Sequence, residues 1–158
     1  MKTATIEEIK QEMQRLPPRK LIELCLRLAR SKKETKELLG YLIFDSHDEH
    51  SYTKSIKLEM DELFSALPKA TAYLTKKSLR QVLRMISKHS KFMASKAMTA
   101  DLLIYFCTLA KEKGFDRSSN TALEKIFLQQ VKKLETLILS IEEDLQYDYR
   151  KQLDSLTG

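Results

Sequence analysis

The chain has 158 residues with only three glycines, three prolines and no tryptophan, and its 28 Lys and Arg residues exceed its 22 Asp and Glu residues to give a net charge of +6. Few turn formers and many helix formers predict long helices with short connections, and therefore an all-α fold. Charges near the start argue against a signal peptide, and the longest apolar run, 102–110, is too short to cross a bilayer, so we expect a cytoplasmic protein without membrane association.

Two helices are predicted in the first 30 residues. Thr5 and Glu8 have the spacing of a capping box, so the first helix begins at Thr5 and ends at Leu16, before two prolines. Prolines cannot continue a helix, but they can start one. A second helix therefore runs to about residue 30, with apolar residues at the spacing of one helix face: Leu21, Leu24, Cys25 and Leu28.

A third helix is predicted from another capping box, Ser31 and Glu34, to Phe44. Its end, residues 38–44, is apolar on nearly every side, so we expect its last two turns to be buried. Gly40 lies in this stretch, and its lack of a side chain would allow another helix to come close.

Three more helices are predicted after a polar connection at 45–52. The fourth ends before Pro68, the fifth covers about 75–92, and the sixth covers about 96–113. The apolar run at 102–107 could by itself form a strand, but the length of the segment and the stop at Gly114 favour a buried central helix.

The end of the chain has the pattern of one long helix. A third capping box, Thr121 and Glu124, begins it, and the helix can continue to Leu156. Six apolar residues step along it by four and three alternately, which is the spacing of a coiled-coil seam: Phe127, Val131, Leu134, Ile138, Ile141 and Leu145. The pattern fits fewer than three heptads, so we favour packing on the chain's own core, with a two-fold dimer seam as the alternative.

Together these elements predict a single domain, 1–158, built as a bundle or short right-handed array of about six to seven helices with a long C-terminal helix. A faint internal similarity links 25–29 to 82–86 and 38–41 to 102–105. It suggests two helical hairpins of similar build, as in HEAT-like arrays.

Several sequence segments, in the order in which they occur, resemble those of a known protein family. Leu-Pro-x-x-x-Leu-Ile-Glu-Leu occupies 16–24, Lys-x-x-Lys-Glu-Leu-Leu occupies 33–39, and Ala-Asp-Leu-Leu-Ile-Tyr-Phe occupies 100–106. With a Lys/Arg-rich fifth helix and a long last helix, this layout resembles a family of small all-helical bacterial proteins, mostly from Bacteroidetes, that has no assigned activity. The resemblance covers most of the chain and implies an all-α fold, but no functional residues.

The charge distribution provides the main candidate site. No acidic residue occurs between Glu62 and Asp101, and five cations on the fifth helix share one face, opposite its apolar face: Lys77, Arg80, Arg84, Lys88 and Lys91. We call this row the basic stripe. Cations roughly 5 Å apart suit a phosphate backbone, an anionic surface or an acidic partner helix. The alternative is a solvated face whose field is cancelled by acidic residues at 45–62 and 142–148.

The sequence has few other patterns that could indicate a metal-binding or catalytic site. His47 and His50, with Asp45 or Glu49, could share a metal ion, but no distant third ligand accompanies them, so we predict no metal and no cofactor. The sequence has no glycine-rich phosphate loop, no Cys-x-x-Cys pair and no nucleophile elbow, so we assign no catalytic residue and expect no enzyme.

The two cysteines, Cys25 and Cys107, each lie in an apolar run, which predicts reduced core residues. Two functions from different classes are consistent with the whole pattern. The first is a protein-interaction module that binds another protein or a second copy of itself, and the second is an accessory nucleic-acid binder that uses the basic stripe. We favour the first, and no small-molecule substrate is identified.

Overall fold

The computed structural model describes residues 1–68, 71–117 and 121–158, the last range without the side chain of Thr121. This described part contains eight α-helices and no strand, which confirms the all-α prediction. None of these helices is both long enough and apolar enough to span a bilayer. The chain divides into two compact units, Met1–Asp45 (unit 1) and Ser46–Gly158 (unit 2), whereas the sequence pattern predicts one domain.

Unit 1 contains α1 (Ile6–Gln14), α2 (Pro18–Ser31), α3 (Lys33–Gly40) and a π-helical turn (Tyr41–Asp45). The capping box of α1 is confirmed, because Glu8 N–H donates to the Thr5 hydroxyl at 3.2 Å and Thr5 N–H donates to the Glu8 carboxylate at 2.7 Å. Pro18 starts α2, also as predicted. Within this unit α2 packs on α3, and α1 makes no comparable contact with either.

The predicted capping box of α3 is wrong. The Ser31 hydroxyl donates instead to the Leu28 carbonyl at 2.6 Å, which ends α2. Serine competes in this way for backbone groups near helix ends. Lys32 is extended and α3 begins at Lys33, without a side-chain cap.

The predicted burial of residues 38–44 is confirmed for Tyr41 but is wrong for the three residues that follow it. Tyr41 is buried, but Leu42, Ile43 and Phe44 are 53%, 61% and 71% exposed. The physical reason is that three consecutive residues point in different directions around a helical turn, so burying all of them needs a second surface, which unit 1 does not provide. No atom lies within 4 Å of the place where a Cβ on Gly40 would be, so no second helix approaches it closely.

The apolar face of α2 is largely exposed for a related reason. Its helix packs only on the short α3 within unit 1, and Ile22 and Leu28 are 60% and 61% exposed. Cys25 is exposed as well, so the prediction that it is a core residue is wrong.

Unit 2 contains the remaining elements: α4 (Glu49–Ser65), α5 (Ala72–Met93), α6 (Lys96–Glu112), a 3₁₀ turn (Phe115–Arg117), α7 (Thr121–Leu139) and α8 (Glu143–Thr157). Helix α6 packs on α4, α5, α7 and α8, which confirms the predicted buried central helix. Leu102, Phe106 and Cys107 on this helix are fully buried, and burial raises the pKa of the Cys107 thiol to about 12. Cys107 is thus the reduced core cysteine that the sequence predicts.

The single long C-terminal helix is not present. Helix α7 ends at Leu139, where Ser140 N–H bonds to the Leu137 carbonyl at 3.0 Å, and α8 begins at Glu143 and packs on α7. The Gln146 amide donates to the Ile141 carbonyl at 2.8 Å and so satisfies a backbone acceptor at the break. The break leaves Ile141 buried. The predicted capping box at Thr121 lies outside the described side chains.

Polar contacts join α4 to α6 at the edge of the core. The Tyr105 hydroxyl donates to the Asp61 carboxylate at 2.5 Å, and Lys57 Nζ lies 2.8 Å from the Asp101 carboxylate. The hydrogen bond to Asp61, assisted by burial, raises the pKa of Tyr105 from 10.0 to about 12. The carboxylate disfavours loss of the phenol proton because it would face a second negative charge.

We therefore expect one tyrosine to ionise only near pH 12 in an absorbance titration of the folded protein. Because the folded-state pKa is raised, the stabilising contribution is present below about pH 10 and is lost as the pH rises through about 12. Asp61→Asn should move this transition toward pH 10, and Tyr105→Phe should remove it. A titration unchanged by both substitutions would show that the contact is not formed in solution.

Candidate functional site

The basic stripe lies on α5, opposite the side that packs into unit 2. Leu79, Val82 and Ile86 are each 1% exposed, and they anchor the inner face of the helix. Of the predicted site residues, four are exposed and Lys88 is half-buried; the exposed ones are Lys77, Arg80, Arg84 and Lys91. The stripe extends over roughly 21 Å, at 1.5 Å per residue.

The acidic residues do not cover these four cations. In the described part of the chain, no carboxylate forms an ion pair with Lys77, Arg80, Arg84 or Lys91. Two predicted screening residues are used elsewhere, since Asp61 accepts from Tyr105 and Asp48 accepts from Ser51 N–H at 3.1 Å. The stripe is therefore a local excess of positive charge on unit 2, able to attract a negatively charged partner.

Unit 1 carries a second candidate site, which the sequence patterns do not indicate. A groove of about 710 Å³ lies between α2, α3 and the π-helical turn. Apolar residues form its floor: Leu26, Ala29, Leu39, Ile43 and Phe44. Four cations form its rim: Arg30, Lys32, Lys33 and Lys36. We call it the basic-rimmed groove.

The rim carries little compensating negative charge. Lys33 lies 3.9 Å from the Glu37 carboxylate, but the Lys33 side chain is 91% exposed, and exposed pairs of this kind contribute little. Elsewhere in the described chain, no carboxylate pairs with Arg30, Lys32 or Lys36. The groove thus combines an apolar floor with a positive edge, which suits an amphipathic partner with acidic flanks.

Helix α1 has the complementary character. Ile6, Ile9 and Met13, at positions i, i+3 and i+7, are 82%, 44% and 41% exposed. The same helix carries three glutamates and one lysine, and it buries no residue. It is an acidic amphipathic helix whose apolar face stays largely exposed, because α1 makes no extensive contact with the other helices of unit 1. The spacing and charges are evident in the sequence, but the exposure of the apolar face is not.

The row predicted as a possible dimer seam does not lie on one helix: its first four residues are on α7, Ile141 is in the break, and Leu145 is on α8. Phe127, Val131, Leu134, Ile138 and Ile141 are 7% exposed or less within unit 2, and Leu145 is 41% exposed on α8. This burial corresponds to packing on the chain's own core, the favoured alternative. A second copy could contact only Leu145 of this row without opening unit 2.

The histidine-rich segment 45–50 acts as a helix start. Asp48 caps α4, and its carboxylate accepts from Ser51 N–H at 3.1 Å and from the Ser51 hydroxyl at 2.6 Å. These two hydrogen bonds lower the pKa of Asp48. Among the residues that the structure describes, no three His, Cys, Asp or Glu side chains are grouped so that they could hold a metal ion.

Comparison of the chain with protein-family models, with curated proteins and with solved structures finds no match. The resemblance to the bacterial helical family therefore stays a prediction. The basic stripe, the basic-rimmed groove and the apolar face of α1 are the surfaces from which a function can be inferred.

Proposed function

We propose that this chain is a non-enzymatic protein-interaction module, and that the basic-rimmed groove binds α1 of a second copy. One observation carries the proposal. Within unit 1 only Tyr41 is buried, whereas ten of its large apolar residues beyond Met1 are exposed: Ile6, Ile9, Met13, Ile22, Leu24, Leu26, Leu28, Leu42, Ile43 and Phe44. Such a concentration of exposed apolar surface is typical of a binding interface.

The energetics favour a partner for this unit. A segment of about 45 residues rarely forms a sufficient core alone, and association is one of the usual ways to stabilise it. Each large apolar side chain that a partner covers contributes about 1.5–3 kcal/mol. If a partner covers both the apolar face of α1 and the apolar floor of the groove, the burial therefore offsets a substantial part of the entropy lost on association.

Opposite charges favour α1 as the helix that binds in the basic-rimmed groove. The glutamates of α1, Glu7 and Glu12 among them, oppose the cations on the rim of the groove. Two copies that exchange α1 reciprocally would fill both grooves and form a closed two-fold dimer. A helix of another protein would need the same properties, an apolar stripe with acidic flanks.

Sedimentation velocity over a concentration series tests the proposal. We expect the wild-type mass to rise from monomer to dimer, and Phe44→Asp to weaken the dimer by about a hundredfold or more, because a carboxylate would have to be buried in the interface. Leu58→Asp on α4 is the matched control, since Leu58 is 57% exposed but lies in unit 2. A wild type that stays monomeric, or two variants that behave alike, would refute the proposal.

Four cations of the basic stripe, Lys77, Arg80, Arg84 and Lys91, form no ion pair with a described carboxylate, and they support a second candidate function, the binding of nucleic-acid backbone. We expect affinity for a generic duplex or single strand to fall by orders of magnitude as salt rises, because neutralised phosphates release their counterions. Lys77→Gln with Arg84→Gln should reduce both the affinity and the salt slope. Fluorescence anisotropy at two salt concentrations measures this, and no binding at low salt would end this candidate.

A further inference from the structure

A separate cavity lies in unit 2, between α5, α6 and α7. Its volume is about 360 Å³, and polar side chains from all three helices line it: Ser87, Ser90, Lys91, Thr99, Gln130 and Lys133. Apolar residues, among them Leu83 and Leu103, form the rest of the wall. A volume of this size is within the range of small-molecule sites.

Ser90 is the unusual member of this lining. Its hydroxyl oxygen is buried and has no hydrogen-bond partner. Buried polar atoms are nearly always paired, so this hydroxyl is a hydrogen-bonding group whose partner the described chain does not supply. Neither Ser87 nor Gln130 makes a side-chain hydrogen bond within the described residues. Thr99 differs, because its hydroxyl donates to the Ser95 carbonyl at 2.8 Å.

The charges around the cavity have one sign. Lys91 and Lys133 line it, and neither forms an ion pair with a carboxylate of the described chain. No acidic residue is part of the described lining. The cavity thus offers hydroxyl, amide and ammonium donors together, and these suit a negatively charged group with several acceptor oxygens.

We propose that this cavity binds a small phosphate monoester. The phosphate oxygens would accept hydrogen bonds from Ser90, Ser87 and Gln130, and the ammonium groups of Lys91 and Lys133 would balance the charge. The apolar wall leaves room for a compact organic substituent. The proposal uses residues of unit 2 alone, so it does not depend on what unit 1 binds.

Phenyl phosphate is a suitable probe, and isothermal titration calorimetry measures its binding. We expect wild-type protein to bind it at millimolar concentration or below, and Lys133→Gln to weaken binding by about tenfold or more, as for the loss of one charge-assisted hydrogen bond. Lys132→Gln is the matched control, because Lys132 is the preceding residue of α7 but does not line this cavity. It should bind as the wild type does.

Ser90→Ala separates ligand binding from a structural role. Because the hydroxyl is buried without a partner in the unliganded chain and alanine favours a helix more than serine does, the substitution should not lower the unfolding temperature without ligand, while it should weaken phenyl phosphate binding. Lys77→Gln with Arg84→Gln should not alter phenyl phosphate binding, which distinguishes this cavity from the basic stripe.

Three results would overturn the proposal: no binding of phenyl phosphate by the wild type, equal affinities for Lys132→Gln and Lys133→Gln, or equally tight binding of benzoate. Benzoate has the same ring with a single carboxylate charge, so equal affinity would mean that the cavity does not select phosphate. Inorganic phosphate, tested in parallel, reports whether the organic substituent adds affinity.

Discussion

Phe106→Ala is expected to lower the free energy of unfolding of unit 2 by about 3–5 kcal/mol, the usual cost of truncating a buried phenylalanine. Phe106 is 0% exposed at the centre of α6, and its ring meets that of Phe64 edge-on, with 5.6 Å between the ring centroids. The substitution removes this aromatic contact and leaves a cavity that four surrounding helices cannot fully close. Urea denaturation followed by circular dichroism measures the change.

Tyr147→Ala is the matched control for Phe106→Ala. Tyr147 is an aromatic residue of the same unit but is 73% exposed on α8, so its truncation should change the free energy of unfolding by no more than about 0.5 kcal/mol. Similar losses for the two variants would contradict the placement of the core around α6.

The second large effect is expected from reversing the charges of the proposed interface. Glu7→Lys with Glu12→Lys makes α1 basic, and Arg30→Glu with Lys32→Glu and Lys36→Glu makes the groove rim acidic, because only Lys33 of its four cations then remains. Each of these two variants then places like charges against each other, and such contacts cost several kcal/mol. We expect each variant alone to dimerise at least about a hundredfold more weakly than the wild type, as measured by sedimentation equilibrium.

The substitutions are chosen to spare the fold. Glu8 is kept because its carboxylate completes the capping box of α1, and Lys33 is kept because it pairs with Glu37. Glu12→Lys removes a pair with Arg15 at 3.4 Å, but both side chains are exposed, so the loss contributes little to stability. Glu59→Lys with Glu62→Lys, both exposed on α4, changes the net charge as much as the α1 variant does and is its control. Equal weakening by this control would mean that net charge, and not a specific contact, governs association.

The parts of the fold that depend on local rules could be predicted from the sequence. The capping box at Thr5 and Glu8, the prolines before α2 and the stop at Gly114 are local features, and each marks a helix end in the structure. The central position of α6 could be predicted from its continuous apolar run at 102–107. The inner face of α5 could be predicted from its periodicity.

The errors arose where tertiary packing decides the outcome. The apolar residues at 42–44 satisfy any pattern for a buried turn, but burial needs a second surface, and unit 1 does not provide one. The break between α7 and α8 has a local signal in the sequence. Glu142, Glu143 and Asp144 stand at the N-terminus of α8, where acidic residues favour the helix dipole, but their sequence alone suggested only a source of screening charge.

The candidate sites also differ in whether local sequence or tertiary packing determines them. The basic stripe was predictable because helix periodicity places its residues on one face, although the exposure of its cations was not. The basic-rimmed groove was missed because its floor and rim come from α2, α3 and the π-helical turn together. The cavity near Ser90 needs three helices, and no spacing within one of them indicates it.

The most direct test of the α1 exchange is to mix the two charge-reversed variants in equal amounts and measure the mass by sedimentation equilibrium. In the mixture the basic α1 of one variant meets the acidic rim of the other, and the acidic α1 meets an unchanged basic rim, so both contacts are again complementary. We predict that the mixture forms a dimer of one copy of each variant while each variant alone stays monomeric. A mixture that also stays monomeric would show that α1 does not occupy the groove.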